Sequence, residues 1–502
     1  MVSHTVKLLM LLCLSFTTSV SAATQQITIV YTGYLNHITS PQGSYAQLAT
    51  LLRTYRQQEP TLFLFGGSSL APSLMSSLDR GAHIIDLLND LEPNAMAVAD
   101  REFTFSIDEL SLRAYEAAFP MVLSNVTDTL TEKNHIDGIE RSLIIKKNGI
   151  KIGILASDHS SDFSGYALSR LHVDDGKAVI TQQAQALRQQ GAQLVILMAH
   201  KNTPHRQSLL NDSVVDIILR QNPFIDSHTR SQPSPIDSDV FINKPNTAAA
   251  ITITWPRAQP EQYSITTQMV PLAELPADPF IQQQVKDYSR RFSILFNQPL
   301  TQLTSSLDLH RSAVRTSENA FGNVVTDAMR IGSHSDIALI NGGTIRTNKT
   351  YPSGYHLTYG DVLAALSYRD HIQILKITGQ QLQDALENGV SKVGHVEGTG
   401  AFPQVSGMSF HVDFSKPKGK RISQLLIHDK AVQLDQDYTL ATSDFLREGG
   451  DGYTSFMHAE TVAFSQQATP LISDVVINFL RRKPTLSAPQ TRRIFIKGAN
   501  HD

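Results

Sequence analysis

Thiols, tryptophan, aromatics and net charge are all scarce in this chain, and each shortage closes off a class of function. The 502 residues include one Cys and one Trp, and aromatics make up 7%. Lys and Arg number 43 against 46 Asp and Glu, a formal charge of −3. No basic surplus is present to hold nucleic acid by bulk electrostatics. With 41% apolar residues, the composition is neither that of a disordered chain nor that of a collagen-like one. At roughly 100–200 residues per domain, a chain of this length is expected to form two or three domains.

The one thiol, Cys13, lies in a leading segment with a character of its own. Lys7 precedes the apolar run Leu8 to Phe16, and the small residues Val20-Ser21-Ala22-Ala23 follow. This is the three-part form of a secretory signal cleaved near Ala22, over residues 1–23. Its apolar core is too short to span a bilayer, so no membrane span is expected. Removing the segment takes away Lys7 and Cys13, which leaves a mature chain without thiols. Disulfides, zinc–thiolate sites and Cys nucleophiles are then excluded. A periplasmic or secreted protein is expected.

From Gln26 to about Thr254, short β-branched runs alternate with amphipathic stretches. Ile27–Tyr31, Leu62–Phe65, Met121–Leu123, Ile152–Leu155 and Leu194–Leu197 read as buried strands. Tyr45, Leu48, Leu51, Leu52 and Tyr55 share one helical face, and Lys177–Gln190 is also helix-like. The pattern predicts an α/β layered domain over residues 24–275. Within it, Thr203–Asn246, rich in Ser, Pro, Asn and Asp, is expected to form long surface loops. Ile281, Val285, Tyr288, Phe292 and Phe296 are three or four apart and predict a helix from Asp278 to Phe296, within a connection over 276–298 that Pro299 ends. Beyond it, Ala320–Met329, Asp336–Ile340, Leu357–Leu366, Ile372–Ile377 and Gln380–Gly389 alternate helix and strand. These predict a second α/β domain over 299–497 with a strand-rich end.

The densest chemistry lies in this second part. Arg311 and Arg315 are four apart and project the same way if helical, and Arg346 follows the turn Asn341-Gly342-Gly343. Guanidiniums so grouped suit bidentate contacts to phosphate oxygens, and the glycines let the backbone approach a ligand closely. Further on, Phe445 stands six residues before Asp451, which follows two glycines. A carboxylate on a tight turn can accept from paired ribose hydroxyls, and an aromatic face can stack on a base for about 1–3 kcal/mol. Each piece taken alone is more often a surface ion pair, a core Phe or an ordinary Asp-Gly turn.

In this order, Phe321-Gly-Asn-x-x-x-Asp-Ala-Met329, Asn341-Gly-Gly-x-Ile-Arg346 and Gly449-Gly-Asp-Gly-Tyr453 resemble the C-terminal substrate-binding domain of the 5′-nucleotidase family. The resemblance extends over about residues 26–497. It implies an N-terminal calcineurin-like metallophosphatase sandwich and a C-terminal 5′-nucleotidase-type α/β domain, joined by a helix. It implies that the partner is a nucleotide or nucleoside, clamped between Phe445 and Tyr368, where the family carries a second Phe. Asp451 matches the ribose-binding acid, Arg315 and Arg346 match arginines on the phosphate or nucleotide tail, and Arg311 matches an additional one. Asn341 matches a polar residue lining the same site. Arg369 and Asp370 depart from the Gly and Asn that would follow the clamp aromatic.

The resemblance also implies a pair of divalent metals in the N-terminal domain, activating water for in-line attack on phosphorus. The matching positions here are altered. Tyr34 and Asn36 occupy two ligand positions of the first strand, and the bridging Gly-Asp reads Gly66-Gly67. In Ala99-Asp100-Arg101-Glu102-Phe103-Thr104, Asp100 replaces a ligand Asn, Arg101 the catalytic His and Thr104 its partner Asp. The Gly-His-x-His turn aligns with Arg220 to Phe224, without either His. Asp100 and His200 remain as residual metal-ligand candidates, while His37, His205 and His228 are expected to be solvent-exposed. Without the shared carboxylate, nothing holds two cations together, so no metal pair is expected to bind and no catalytic residue is assigned. The resulting expectation is a nucleotide or nucleoside binder with lost or reduced hydrolase activity. The alternatives are an active metal-dependent 5′-nucleotidase in nucleotide catabolism, and a scaffold in which both sites are relics.

Overall fold

The computed structural model describes residues 24–131, 135–158, 170–174, 176–199, 203–222, 237–256, 262–368, 370–393, 400–462, 469–487 and 492–497. The expected signal over 1–23, and with it His200, His228 and Arg369, lies outside the described residues. The architecture is mixed α/β, as expected.

Two sheets face each other in the N-terminal half. The first has seven strands, in the spatial order Ser264–Pro271, Thr247–Pro256, Thr24–Thr32, Thr61–Phe65, Ala95–Ala97, Met121–Val122 and Ile139–Glu140. The second has five, in the order Asp239–Ile242, Ile217–Gln221, Leu194–Ala199, Ile150–Ser157 and Leu143–Lys147. Successive residues of a strand face opposite sides, and this decides the layers. Ile27, Ile29, Leu62, Leu64, Ile152, Ile154 and Ile196 fill the space between the sheets. Val30, Phe63 and Phe65 turn outward onto the helices Tyr45–Gln58 and Ala82–Leu91. On the far side, Leu155, Val195 and Leu197 pack against Ile180, Ala184 and Leu187 of the helix Gly176–Gln189. The unbroken apolar runs of the sequence are therefore strands buried on both faces.

One expectation needs correction here. Thr203–Asn246 is not loop throughout, because it contains the helix Arg206–Asn211 and the strands Ile217–Gln221 and Asp239–Ile242. Both strands extend the second sheet in parallel. Ile217 and Leu219 enter the core between the sheets, while Ile218 faces the opposite helix layer. The averaged composition of the stretch conceals this short apolar run.

The helix Pro279–Phe296 carries the chain from one half to the other. Its start is fixed by Asp278, whose side chain accepts from the backbone N–H of Phe280 and Ile281 at 2.9 and 3.0 Å, with Pro279 in the first turn. Such a cap contributes about 1 kcal/mol. Ile281 and Val285 lie in the N-terminal core and Phe296 in the C-terminal one. Between them Tyr288, Phe292 and Phe296 stack in succession, with centroids 6.4 and 5.5 Å apart. Leu74, Met75 and Leu78 of the N-terminal half also pack against the C-terminal core.

The C-terminal half is built on a five-stranded sheet in the order Pro403–Ser406, Ile337–Asn341, Asp437–Ser443, Ile372–Thr378 and Glu460–Val462. Ala338, Ile340 and Ala441 face the helices Ala320–Ser333 and Ile472–Arg481. Ile337, Leu339 and Leu440 face the helix Gly379–Gly389. Among the described residues no helix is long and apolar enough to cross a membrane.

Candidate functional site

The strand Ile337–Asn341 is buried along its length and ends at the Gly-Gly turn. A Cβ on Gly342 would stand 2.2 Å from the carbonyl oxygen of Val314, and one on Gly343 would stand 3.0 Å from Cα of Gly400. Only glycine lets these three segments meet, and their meeting forms one wall of a cavity of about 310 Å³. Its lining includes Arg315, Asn341, Arg346, Tyr368, Phe445 and Asp451, six of the seven C-terminal residues singled out in the sequence. Asp370, Gly343, Thr344 and Gly400 complete it.

Phe445 sits in the short helix Asp444–Arg447, capped by the Ser443 hydroxyl on Leu446 N–H at 3.2 Å. A Cβ on Gly450 would meet the Phe445 ring at 2.5 Å, so the ring lies across that glycine. Asp451 follows, with φ of 52° in the left-handed region that Asp tolerates better than most residues. Its Oδ2 accepts from Nδ2 of Asn341 at 2.6 Å, while Oδ1 of Asn341 accepts from the Thr344 hydroxyl at 2.7 Å. Asn341 is thereby engaged at both ends of its amide, and it holds the carboxylate in place.

The cationic side of the cavity is less self-contained. The helix that begins at Arg311 ends at Val314, so Arg315 is its terminal cap and not a further helical residue. The two arginines therefore do not share a helical face: Arg315 lines the cavity, and Arg311 is not among its lining residues. Arg311 is near enough that its charge, after burial and the charge of Arg346, lowers the pKa of Arg315. Nε of Arg315 and Nε of Arg346 are buried without a hydrogen-bond partner. Arg315 and Arg346 thus bring two like charges to one cavity, which an anionic ligand would neutralise.

The N-terminal cleft lies where the parallel strands Thr24–Thr32, Thr61–Phe65, Leu194–Ala199 and Ile217–Gln221 end. Tyr34, Gly66, Ser68, Ala99, Ser157 and Gln221 are among its lining residues, and its volume is about 10 Å³, roughly the space for one water. The Arg101 guanidinium stands 5.5 Å from the Tyr34 ring centroid. Burial, with the Asp100 charge adding to it, pushes the Tyr34 phenol above its ordinary range. Oδ1 of Asp100 accepts from the Ser68 hydroxyl at 3.0 Å. Nδ2 of Asn36 donates to the Pro72 carbonyl at 2.7 Å. His37 and His205 are exposed. Among the described residues no three His, Cys, Asp or Glu side chains converge as metal ligands.

Sequence patterning does not single out Glu102, yet it organises this region. It is buried, and its carboxylate accepts four backbone N–H groups, from Ser68, Ser69, Leu70 and Ala99, at 2.8 to 3.2 Å. It ties the loop after Thr61–Phe65 to Ala99, two residues past the strand Ala95–Ala97. Burial pushes its pKa up to about 7, against the pull of those bonds. The Glu stands in the altered metal block, but nothing in its neighbours announces backbone partners some thirty residues away. Thr344 is a second such residue, although it lies inside Asn-Gly-Gly-x-Ile-Arg.

Residues 299–458 match the family described as 5′-nucleotidase, C-terminal domain. Trifunctional nucleotide phosphoesterase protein YfkN of Bacillus subtilis (strain 168) is 31% identical over 214 residues, which is 40% of this chain and 14% of that protein. The chain thus spans a small part of that relative's length. The 5′-nucleotidase of Homo sapiens is 22% identical over 456 residues, 82% of this chain and 78% of that protein. Among solved structures, the 5′-nucleotidase precursor from Thermus thermophilus aligns with a TM-score of 0.61 at 21% identity, covering 95% of this chain and 100% of that chain. At that identity the likeness is one of fold.

Proposed function

The chain belongs to the 5′-nucleotidase family, and from that premise we propose that it binds nucleotides or nucleosides in its C-terminal pocket and has lost or reduced phosphohydrolase activity. The observation that carries this reading is one cavity lined together by Arg315, Arg346, Phe445, Tyr368 and Asp451. The phosphate meets the arginines, the ribose hydroxyls meet Asp451, and the base lies against Phe445. Arg311 contributes long-range positive charge.

The N-terminal residues support the second half of the reading. A two-metal centre needs several aimed donors and a shared carboxylate. Here the phenol of Tyr34, the committed amide of Asn36, Gly67 and the Ser68-bonded Asp100 make a poor set. His200 would be a second donor beside Asp100. Residues 24–275 and 299–497 are taken as two domains hinged on 276–298, and residues 1–23 as an export signal that places the protein in the periplasm or outside the cell.

Calorimetry of the full chain with AMP, adenosine and UDP-glucose tests the binding reading, and absence of heat with all three overturns it. Phosphate release assayed with Mn²⁺, Co²⁺ or Zn²⁺ tests the other half. Turnover there would identify an active hydrolase, the activity that the names of several relatives carry.

A further inference from the structure

Tyr368 serves the C-terminal pocket in two ways. Its ring lines the cavity with Phe445, and its hydroxyl accepts a hydrogen bond from Nη2 of Arg346. The Arg346 guanidinium carbon also stands 4.6 Å from the Tyr368 ring centroid, within the range of a cation–π contact. Arg346 has reason to need this anchor. Arg315 carries a like charge close by, and repulsion between the two guanidiniums would turn an unanchored side chain away. The anchor uses Nη2 of a residue that itself lines the cavity, so the rest of the planar fork can serve a ligand's oxygens.

Building on the reading that this pocket takes nucleotides, we propose that Tyr368 is a positioning residue, whose hydroxyl holds Arg346 toward the anionic part of the ligand. Aromatic plate and phosphate arm are then one mechanical unit. The hydroxyl selects phosphorylated over unphosphorylated nucleosides, which a phenylalanine at this position would not do.

The test is calorimetry with AMP and with adenosine on the wild-type chain, Tyr368→Phe, Arg346→Ala and the double variant. Tyr368→Phe keeps the ring, so adenosine affinity changes by less than about 2-fold, whereas AMP affinity falls about 10-fold, the size expected for a hydrogen bond to a charged group. In the Arg346→Ala background the same replacement changes AMP affinity by less than about 2-fold. A merely structural tyrosine would weaken both ligands alike. Equal loss for AMP and adenosine, or an AMP effect of Tyr368→Phe that survives removal of Arg346, overturns the proposal while leaving the binding reading intact. A wild-type chain that binds neither ligand overturns the binding reading, and this proposal with it.

Discussion

The two clefts both open where strands end in an α/β layer, yet they differ in what their polar atoms are doing. In the C-terminal pocket, Asn341 fixes Asp451, while Arg315 and Arg346 line a cavity of about 310 Å³ and keep Nε without a hydrogen-bond partner. In the N-terminal cleft, Asp100 is bonded to Ser68, Arg101 stands by Tyr34, and Glu102 takes up four backbone N–H groups. The Ser157 hydroxyl and the Gln221 amide stay unpartnered there, in a space of about 10 Å³. Buried polar atoms in folded proteins are normally satisfied. Two cations lining a roomy cavity therefore point to an anionic ligand, and a cleft with room for about one water, largely closed by its own polar groups, points to a structural plug.

The comparison breaks first at Glu102. Replacing it with alanine leaves four buried N–H groups without acceptors and should lower stability by about 3 kcal/mol or more, read from urea unfolding. Adenosine affinity should be unchanged, and a stability loss under about 1 kcal/mol would remove the structural role. The pH dependence has a definite sign. Folded Glu102 titrates near 7 and the unfolded chain near 4.5, so its contribution is fullest below 4.5 and is lost as pH rises through 7. Glu102→Gln should abolish that slope.

On the other side of the comparison, Arg315→Ala should weaken AMP by about 1.5–3 kcal/mol and adenosine hardly at all, since the lost bond is charge-assisted. Phe445→Ala and Asp451→Ala should each cost about 1–3 kcal/mol with adenosine itself, from lost stacking and a lost hydrogen bond. Unchanged affinity in both would refute their roles. Asn341→Ala, which removes the amide that holds Asp451, should cost about 1 kcal/mol. The smallest effect is expected of Asn36→Ala. It loses one partly exposed bond to Pro72, about 0.5–1 kcal/mol of stability, with no change in any ligand affinity.

Much of this is legible in the sequence, for reasons of periodicity. Alternation in Ile27–Tyr31 and Leu62–Phe65 decides which face each side chain takes, and the three-and-four spacing from Ile281 to Phe296 marks the connecting helix. Glycine pairs mark where backbones touch, which is why Asn341, Phe445 and Asp451 stand out without knowledge of their contacts. The remainder depends on contacts far apart along the chain. Glu102 acts on residues 68–70, Asn341 on Asp451, and Arg346 on Tyr368, and no local pattern encodes such partners. The orientation of Arg315 differs from the helical expectation because four residues of helix are too few for their end at Val314 to be recognised. Ile217–Gln221 escapes notice because five residues vanish in the average of a polar stretch.

Elemental analysis of the purified full chain, equilibrated with excess Mn²⁺ and Zn²⁺ and then desalted, tests the contrast between the clefts most directly. The account predicts no retained pair of ions per molecule. Two tightly held divalent ions in each chain would mean that the N-terminal cleft is a working metal centre, and would contradict it.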